Sequence, residues 1–376
     1  MNVEQAVTCI KIARKADVAL MIHGPGGAGK TSAARQAAME ISNEEFGTKF
    51  KDQREYIASC HKHLAAHTYD HFLMEKLTLP VMDPTDIMGI PHAIQQKDGS
   101  FITTWARPDF IHTQGHGLVL LDEASDADML TMKASYCITL EKQIKNHCFG
   151  KNWYICAAGN RPEDKGMSRI MPAPLITRMC HIGIGCDAPN FSDHTPAEAS
   201  IDTDKWIEWA FDNHIKSEVI AFIKTRPSRI YIHQATPRTW EFVSRLIVAA
   251  NSGFENSALA DMVRGTVGQG PGTEFMAFAR LVSKIPSIDR ILVEPEKVEV
   301  PEELDIQHAI CTELIYRATS KTIKNIVKYI EKLNIEIQTF FITSCVKHDD
   351  KLLGNEPITK WLVNHRTIVF GTNSKE

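Results

Sequence analysis

The sequence lacks the patterns that mark disulfide-rich, membrane-spanning and zinc-ribbon proteins. Its 9 cysteines are odd in number and form no C-x-x-C pair, so neither a disulfide framework nor a common zinc motif is indicated. No stretch is long and apolar enough to span a bilayer, and Met1 to Arg14 mixes charged with apolar residues, unlike a signal peptide. We therefore expect free, mostly buried thiols, a cytoplasmic protein and no membrane partner.

A large excess of charge of one sign is also missing. The 46 acidic and 42 basic side chains leave a formal net charge of -4, which provides no overall basic field for nucleic acid. The sequence shows no internal repeat and no low-complexity tract. At 376 residues, of which 43% are hydrophobic, the chain is too long for one ordinary core, and we expect two or three domains.

A cluster of metal-ligating residue types is present, but its spacing is not that of a known site. Cys60, His61, His63, His67 and His71 lie close together. The last three are spaced by four residues and would share one face of a helix, which metal ligation accepts. Because the usual structural zinc spacings are absent, we favour a solvated helix face over a metal site.

Apolar runs typical of strands alternate with helix-like segments in the first half of the chain. The predicted strands are Ala19–His23, Leu77–Met82, Gly117–Leu121, Trp153–Ala158 and Met179–Ile184. Such alternation predicts a mostly parallel α/β sheet. After a connector rich in Asp, Ser, Thr and Pro the pattern becomes helical. We expect an α/β domain at 1–187, a helical domain at 188–292 and a helical C-terminal extension at 304–376.

The most informative feature is a glycine-rich segment that follows the first predicted strand. Eight consecutive residues match G-x-x-x-x-G-K-[ST]: Gly24, Pro25, Gly26, Gly27, Ala28, Gly29, Lys30 and Thr31. In such a loop backbone N–H groups turn toward phosphates, the lysine reaches the β/γ oxygens and the hydroxyl of Thr31 is placed to hold Mg²⁺. Helix-favouring residues begin at Ser32. We expect the cofactor-binding residues to be these eight together with Ser32. The segment predicts binding of a nucleotide, either ATP or GTP.

Two acids end the third predicted strand. The run Leu118 to Leu121 is apolar, and Asp122 and Glu123 follow it directly. This order suits a carboxylate beside Mg²⁺, from Asp122, and a second carboxylate that orients an attacking water, from Glu123. A buried strand capped by surface acids is the alternative, and the glycine loop upstream favours the site.

Polar residues at three later positions are candidates for the same site. Asn160 follows the strand at 153–158, and its amide would hold the lytic water or the γ-phosphate if that strand lies between the other two; a turn asparagine is the alternative. Arg178 precedes the last predicted strand, and Arg238 lies at the start of a predicted helix. Taken alone, both arginines are ordinary surface residues.

In this order the segments resemble the motifs of AAA+ ATPases. The glycine loop is similar to Walker A, Asp122-Glu123 to Walker B and Asn160 to sensor 1, while Arg178 and Arg238 match the arginine finger and sensor 2. The resemblance implies ATP and Mg²⁺ as cofactors. It also implies an AAA+ P-loop parallel sheet domain, a helical lid domain and a ring of identical subunits, usually a hexamer.

Two further segments resemble the MoxR branch of that family. Asp83 to Pro91 reads D-P-T-D-I-M-G-I-P, similar to the signature D-x-x-D-[LI]-x-G-x-P, and Thr236 to Trp240 resembles the sensor 2 helix. By this resemblance Arg178 reaches the ATP of the neighbouring subunit, with Arg169 as a rival for that role. Arg238 then contacts the γ-phosphate within its own subunit. The resemblance covers about residues 1 to 290.

The resemblance also implies two insertions near the sheet. The segment 95–100 contains Lys97, Asp98 and Gly99 between two β-prone arms and predicts a hairpin turn. The segment from Lys142 to Lys151 is the candidate tip of a second hairpin. Contact with a substrate in the pore and a simple solvated hairpin remain equal alternatives.

The leading hypothesis is therefore a MoxR-like ATPase ring that hydrolyses ATP and acts as a chaperone, remodelling or activating a partner protein. The resemblance implies a client with a von Willebrand factor A domain, or a metalloenzyme that needs activation. One alternative is a nucleic-acid motor or loader; the acidic balance weighs against it, although Lys142, Lys145 and Lys151 could line a pore. Another is a nucleotide-gated assembly scaffold, which would not need Glu123.

Overall fold

The chain divides into two compact units in the computed structural model, which describes residues 1–52, 71–161, 171–186, 191, 202–282 and 288–365. One unit comprises Met1–Ala197, His233–Ser252 and Asn256–Gly272; the other comprises Glu198–Ile232, Gly253–Glu255 and Thr273–Glu376. The segments 233–252 and 256–272 thus group with the N-terminal part of the chain. The three-domain division at 187 and 292 stays a prediction.

The first unit contains a six-stranded parallel sheet and two small hairpins. The ten strands in chain order are β1 (Leu20–His23), β2 (Lys49–Asp52), β3 (His71–Thr78), β4 (Pro91–Gln95), β5 (Phe101–Trp105), β6 (His116–Asp122), β7 (Gln143–Ile144), β8 (His147–Cys148), β9 (Asn152–Gly159) and β10 (Cys180–Gly183). The large sheet has the order β10-β1-β9-β6-β3-β2, and every neighbouring pair is parallel.

The sheet confirms the fold class predicted from the sequence, an α/β parallel sheet followed by a helical region. The central strands are buried almost throughout, as expected for a parallel sheet, so their sequences are near-continuous apolar runs. One predicted strand was wrong in its bounds. The strand proposed at 77–82 runs instead over His71–Thr78, and Leu79–Val81 forms a 3-10 turn, because Pro80 has no N–H for a sheet.

Sixteen α-helices are found in the described residues. In chain order they are α1 (Val3–Ala16), α2 (Lys30–Ile41), α3 (Pro84–Met88), α4 (Met129–Ala134), α5 (Tyr136–Glu141), α6 (Ala173–Ile176), α7 (Thr203–Asp212), α8 (Ser217–Thr225), α9 (Pro237–Ala250), α10 (Ser257–Val267), α11 (Gln269–Val282), α12 (Ile288–Val293), α13 (Leu304–Arg317), α14 (Ile323–Ile330), α15 (Ile335–His348) and α16 (Glu356–Asn364). None of these helices is long and apolar enough to cross a membrane.

Helices α9 and α10 pack against the N-terminal part of the first unit. Both contact α1, and α10 also contacts β10. The approach of α10 to the sheet is close, because a Cβ on Gly265 would lie 1.5 Å from the carbonyl oxygen of His181. Glycine is therefore required at this helical position despite its low helix propensity.

Both predicted hairpins are confirmed, and they contact each other. Strands β4 and β5 pair in antiparallel register around a turn at 96–100, and β7 pairs with β8. The Lys145 ammonium lies 4.6 Å from the centre of the Trp105 ring. The Asn146 side-chain amide donates to the Thr104 hydroxyl at 3.2 Å. The second hairpin thus contacts β5 of the first hairpin.

The second unit is helical in its described residues. Helix α13 packs between α8 and α15, around buried side chains such as Cys311 and Phe341. The indole N–H of Trp361 in α16 donates to the Gln338 side chain at 2.8 Å. This bond satisfies a fully buried polar group and joins α16 to the core of the unit.

Candidate functional site

The glycine loop joins β1 to α2 and leaves the start of that helix open to an anion. Gly29 has φ of 93° and precedes the first helical residue, Lys30. No side chain caps the helix, and its first turn contains no acid. The first N–H groups of a helix have no partner within it and carry partial positive charge. The start of α2 is therefore suited to a phosphate group.

The Lys30 ammonium is held at the centre of the loop. It donates to the carbonyl oxygens of Gly24 at 2.6 Å and Pro25 at 3.0 Å, and to Asn160 Oδ1 at 3.0 Å. Asn160 lies at the end of β9, which pairs directly with β1. The sheet thus brings the predicted lysine and the predicted amide into contact.

The two residues predicted to hold the metal are also in contact. Thr31 Oγ1 donates to Asp122 Oδ2 at 3.2 Å. Hydroxyl and carboxylate oxygens are the ligands that Mg²⁺ takes alongside nucleotide phosphates and water. The donor set therefore fits magnesium, with Thr31 and Asp122 as the protein ligands. A residue that the sequence did not reveal shares this oxygen: Lys76 of β3 places its ammonium 2.8 Å from Asp122 Oδ2.

Glu123 leaves the strand in an unusual backbone conformation. Its φ is 54°, in the left-handed region that few residues other than glycine occupy. Its N–H donates to Asp122 Oδ1 at 3.1 Å, and its side chain is exposed in the cleft beside the glycine loop. Both carboxylates line the cleft, but Asp122 is buried at the end of β6 and Glu123 is exposed in the turn that follows.

Two residues missed in the sequence hold Asn160, one at its side chain and one at its backbone. Its Nδ2 donates to Asp126 Oδ2 at 3.0 Å, and its backbone N–H donates to Ser125 Oγ at 2.8 Å. Since a carboxylate only accepts and an ammonium only donates, Asn160 must present Oδ1 to Lys30 and Nδ2 to Asp126. The only sequence signal for Ser125 and Asp126 is their position shortly after the Asp122-Glu123 pair.

These elements enclose one cleft of about 280 Å³. Its lining residues are Gly26, Gly27, Ala28, Gly29, Lys30, Thr31, Ser32, Asp122, Glu123, Gly159 and Asn160. Gly24 and Pro25 are not in this lining, but their carbonyl oxygens accept hydrogen bonds from Lys30. The cleft therefore combines a glycine loop, a lysine, a hydroxyl, two carboxylates and an amide, the groups needed to bind and hydrolyse a nucleoside triphosphate with magnesium.

The two predicted arginines do not line the described part of this cleft. Arg178 follows α6 and is half-buried. Arg238 is exposed in the first turn of α9, whose start is capped by the side chain of Thr236. Arg169, the rival for the trans role, lies outside the described residues. The roles of all three arginines stay predictions.

His23, the residue that precedes the glycine loop, forms a buried pair with His181 of β10. His23 Nε2 is 2.9 Å from His181 Nδ1, and His181 Nε2 is 2.9 Å from the carbonyl oxygen of Ile176. The carbonyl only accepts, so His181 donates from Nε2 and accepts at Nδ1 from His23. Burial lowers the pKa of His181 to about 4. Burial, with His181, Arg161 and Lys30 nearby, holds the pKa of His23 well below its ordinary value.

No second site is indicated by the other clusters. Of the cysteine and histidine cluster, only His71 lies within the described residues, which contain no group of ligands suited to a metal. The second unit has a larger cavity of about 610 Å³, but Lys224 on its wall is paired with Asp204 at 2.9 Å. None of the eight cysteines in the described residues is in a disulfide, and five of the eight are buried.

Comparison with known proteins provides only distant likeness. No protein-family model and no curated protein matches the sequence. The structure is similar to a candidate ATPase from Cytophaga hutchinsonii, at 12% identity over 74% of this chain and 83% of that one, with a TM-score of 0.34. It is also similar to NtrX from Brucella abortus, alone and in complex with ATP, at 12% identity and a TM-score of 0.28. Those alignments cover 96% and 97% of this chain and 67% of NtrX. At these values the likeness supports no inference about activity.

Proposed function

We propose that this chain is an AAA+-type ATPase that binds ATP with Mg²⁺ at the start of α2 and hydrolyses it. One observation carries the proposal: a single cleft brings together Lys30, Thr31, Asp122, Glu123 and Asn160, which come from three separate stretches of sequence. At the start of α2 the lysine donates to the amide of Asn160, and Thr31 donates to Asp122, and these contacts support the proposal.

Each residue has a role that follows from its position. The N–H groups of the loop and of α2 bind phosphate oxygens, and Lys30 exchanges its carbonyl partners for them. Thr31 and Asp122 would hold Mg²⁺, which neutralises phosphate charge when bound. Glu123, exposed in the cleft, orients the attacking water and takes its proton. Asn160 fixes the position of that water or of the terminal phosphate.

Substitution of the water-orienting acid tests this proposal. Glu123→Gln keeps the shape of the side chain but cannot accept a proton, so kcat for ATP hydrolysis should fall about 10²- to 10⁴-fold with ATP affinity retained. Lys30→Ala should abolish binding of ATP. Glu141→Gln, on an exposed helix position, is the matched control and should hydrolyse ATP normally. Turnover by Glu123→Gln at the wild-type rate would refute the assignment.

We also propose that the active form is a ring, a hexamer by resemblance to AAA+ proteins. By the same resemblance Arg178 acts at the cleft of a neighbouring subunit and Arg238 contacts the γ-phosphate of its own subunit. Both arginines belong to the unit that contains the glycine loop, and neither lines the described part of its own cleft. Mass measurement of the Glu123→Gln variant with ATP tests the assembly, and a monomer under these conditions would contradict it.

We further propose that the ring remodels a protein, in the manner of MoxR proteins. The β4–β5 hairpin exposes apolar side chains, with Phe101 67% and Ile102 50% exposed, and solvated hairpins do not need them. Glu123→Gln with ATP should retain a protein client on affinity purification, by resemblance one with a von Willebrand factor A domain. The client should be lost when Phe101→Ser and Ile102→Ser are added. DNA-stimulated, salt-sensitive turnover without a protein client would favour a nucleic-acid motor instead.

A further inference from the structure

Lys76 is bonded to the carboxylate oxygen that the proposed metal would need. Its Nζ lies 2.8 Å from Asp122 Oδ2, the oxygen that also accepts from Thr31. Strand register explains the contact, since Thr78 of β3 pairs with Asp122 and residues two apart on a strand point to the same face. Asp122 is nearly buried, whereas the Lys76 side chain is 41% exposed.

An ammonium and a magnesium ion would compete for this oxygen, which already accepts from both Thr31 and Lys76. Lysine has three donors and no acceptor, so it neutralises the carboxylate but cannot ligate a cation. Mg²⁺ binds carboxylate oxygens at about 2.0–2.1 Å in strict octahedral geometry. The ammonium and the magnesium ion, both bound to one oxygen, would lie close enough to repel each other strongly. The long, partly exposed side chain of Lys76 can turn toward solvent, whereas Asp122 is fixed at the end of its strand.

We propose that the Lys76 ammonium neutralises Asp122 whenever the metal is absent, and that it turns away when nucleotide binds together with magnesium. Lys76 is then a positioning residue that sets how strongly nucleotide binding depends on the metal. The inference rests on the proposed nucleotide site.

The proposal predicts opposite effects of Lys76 in the two states of the site. Without magnesium, Lys76 removes the repulsion between the Asp122 carboxylate and the phosphates, so it strengthens binding of the bare nucleotide. With magnesium, the ammonium must first leave Asp122, so it weakens binding of the metal complex. Removing the ammonium therefore raises the ratio of the two dissociation constants, measured without and with magnesium.

Calorimetric titration of the full chain with AMP-PNP, in excess EDTA and in excess Mg²⁺, measures this ratio without hydrolysis. A hydrogen bond to a charged group is worth enough that Lys76→Met should raise the ratio about tenfold over wild type. Lys76→Gln should give the same rise, whereas Lys76→Arg keeps the charge and should leave the ratio near the wild-type value. Lys133→Met, at an exposed position of α4, removes the same charge elsewhere and should have no effect.

A double-mutant cycle assigns the effect to the carboxylate. In an Asp122→Asn background the added Lys76→Met change should leave the ratio unaltered, because the charge that Lys76 neutralises is gone. A ratio within twofold of wild type for both Lys76→Met and Lys76→Gln overturns the role of Lys76 and leaves the nucleotide site standing. Wild-type protein that binds AMP-PNP in neither condition overturns both.

Discussion

Lys30 donates to Asn160 Oδ1 at 3.0 Å, and the opposite end of the same amide donates to Asp126 Oδ2 at 3.0 Å. The orientation of the proposed sensor amide is thus set from two sides by ionic groups. Each bond restrains the amide against a flip that would present the wrong atom to the cleft.

Asp126→Ala should therefore slow hydrolysis without preventing ATP binding. Loss of the hydrogen bond to this charged acceptor leaves the Asn160 amide held by Lys30 alone, and we expect kcat to fall about tenfold with little change in KM. Steady-state ATPase assays measure both constants. Asp126→Asn retains an acceptor and should restore most of the rate. Equal kcat values for wild type and Asp126→Ala would exclude this positioning role.

Arg178→Ala should bind ATP but hydrolyse it slowly, because an arginine supplied across an interface contributes about 10³- to 10⁵-fold to the rate. Mixed rings distinguish a trans role from a cis role. Lys30→Ala subunits lack a working cleft but carry an intact Arg178, so mixing the two inactive variants should restore part of the turnover. No restoration, together with full activity of a wild-type monomer, would refute the trans role.

Gly265→Ala should destabilise the first unit although alanine favours helices. The new Cβ would lie 1.5 Å from the His181 carbonyl oxygen, so α10 must move away from the sheet, and overpacking of this kind costs about 1–3 kcal/mol. Urea unfolding measures the loss. Gly270→Ala is the matched control, since a Cβ there meets no atom within 4 Å; an equal loss in both variants would contradict the packing argument.

The buried histidines should make the protein less stable in mild acid. The pKa of His181 is lowered by burial to about 4 in the folded chain, against about 6.5 when unfolded. The unfolded chain therefore binds more protons below pH 6.5. Above pH 6.5 His181 is neutral in both states and does not reduce the free energy of unfolding. As the pH falls from 6.5 toward 4, the free energy of unfolding decreases by up to about 1.4 kcal/mol per pH unit.

His181→Gln tests this pH dependence, because the glutamine amide can both donate and accept hydrogen bonds but does not titrate in this range. The free energy of unfolding, measured by urea titration between pH 7.5 and 4.5, should fall less steeply in the variant than in wild type. His92→Gln, at an exposed hairpin position, should retain the wild-type slope. Parallel slopes for wild type and His181→Gln would show that another group controls acid stability.

The parts of the site that the sequence revealed are those written in consecutive residues. The glycine loop and the Asp122-Glu123 pair each follow one strand, so a short pattern contains both the fold and the chemistry. Their contacts with Asn160 were predicted only on the condition that β9 lies between β1 and β6, which the observed strand order satisfies. The glycine loop and the acid pair can be recognised without knowledge of strand register.

Lys76 and His181 could not be found in that way. Lys76 reaches Asp122 only because Thr78 is the residue that pairs with it, and a shift of one position would turn the lysine to the other face. The sequence also predicted the wrong bounds for β3. Glu75 and Lys76 interrupt the apolar run of this strand, so the predicted strand was placed too close to Pro80. The partner of His181 is set by the pairing of β1 with β10, which no local pattern records.

The left-handed backbone of Glu123 has a consequence for laboratory evolution. A side chain at φ of 54° costs about 1–3 kcal/mol relative to residues that accept this conformation, and glycine and asparagine accept it most readily. A library screened for folding alone should therefore enrich glycine or asparagine at position 123. A library screened for growth that depends on turnover should keep glutamate there.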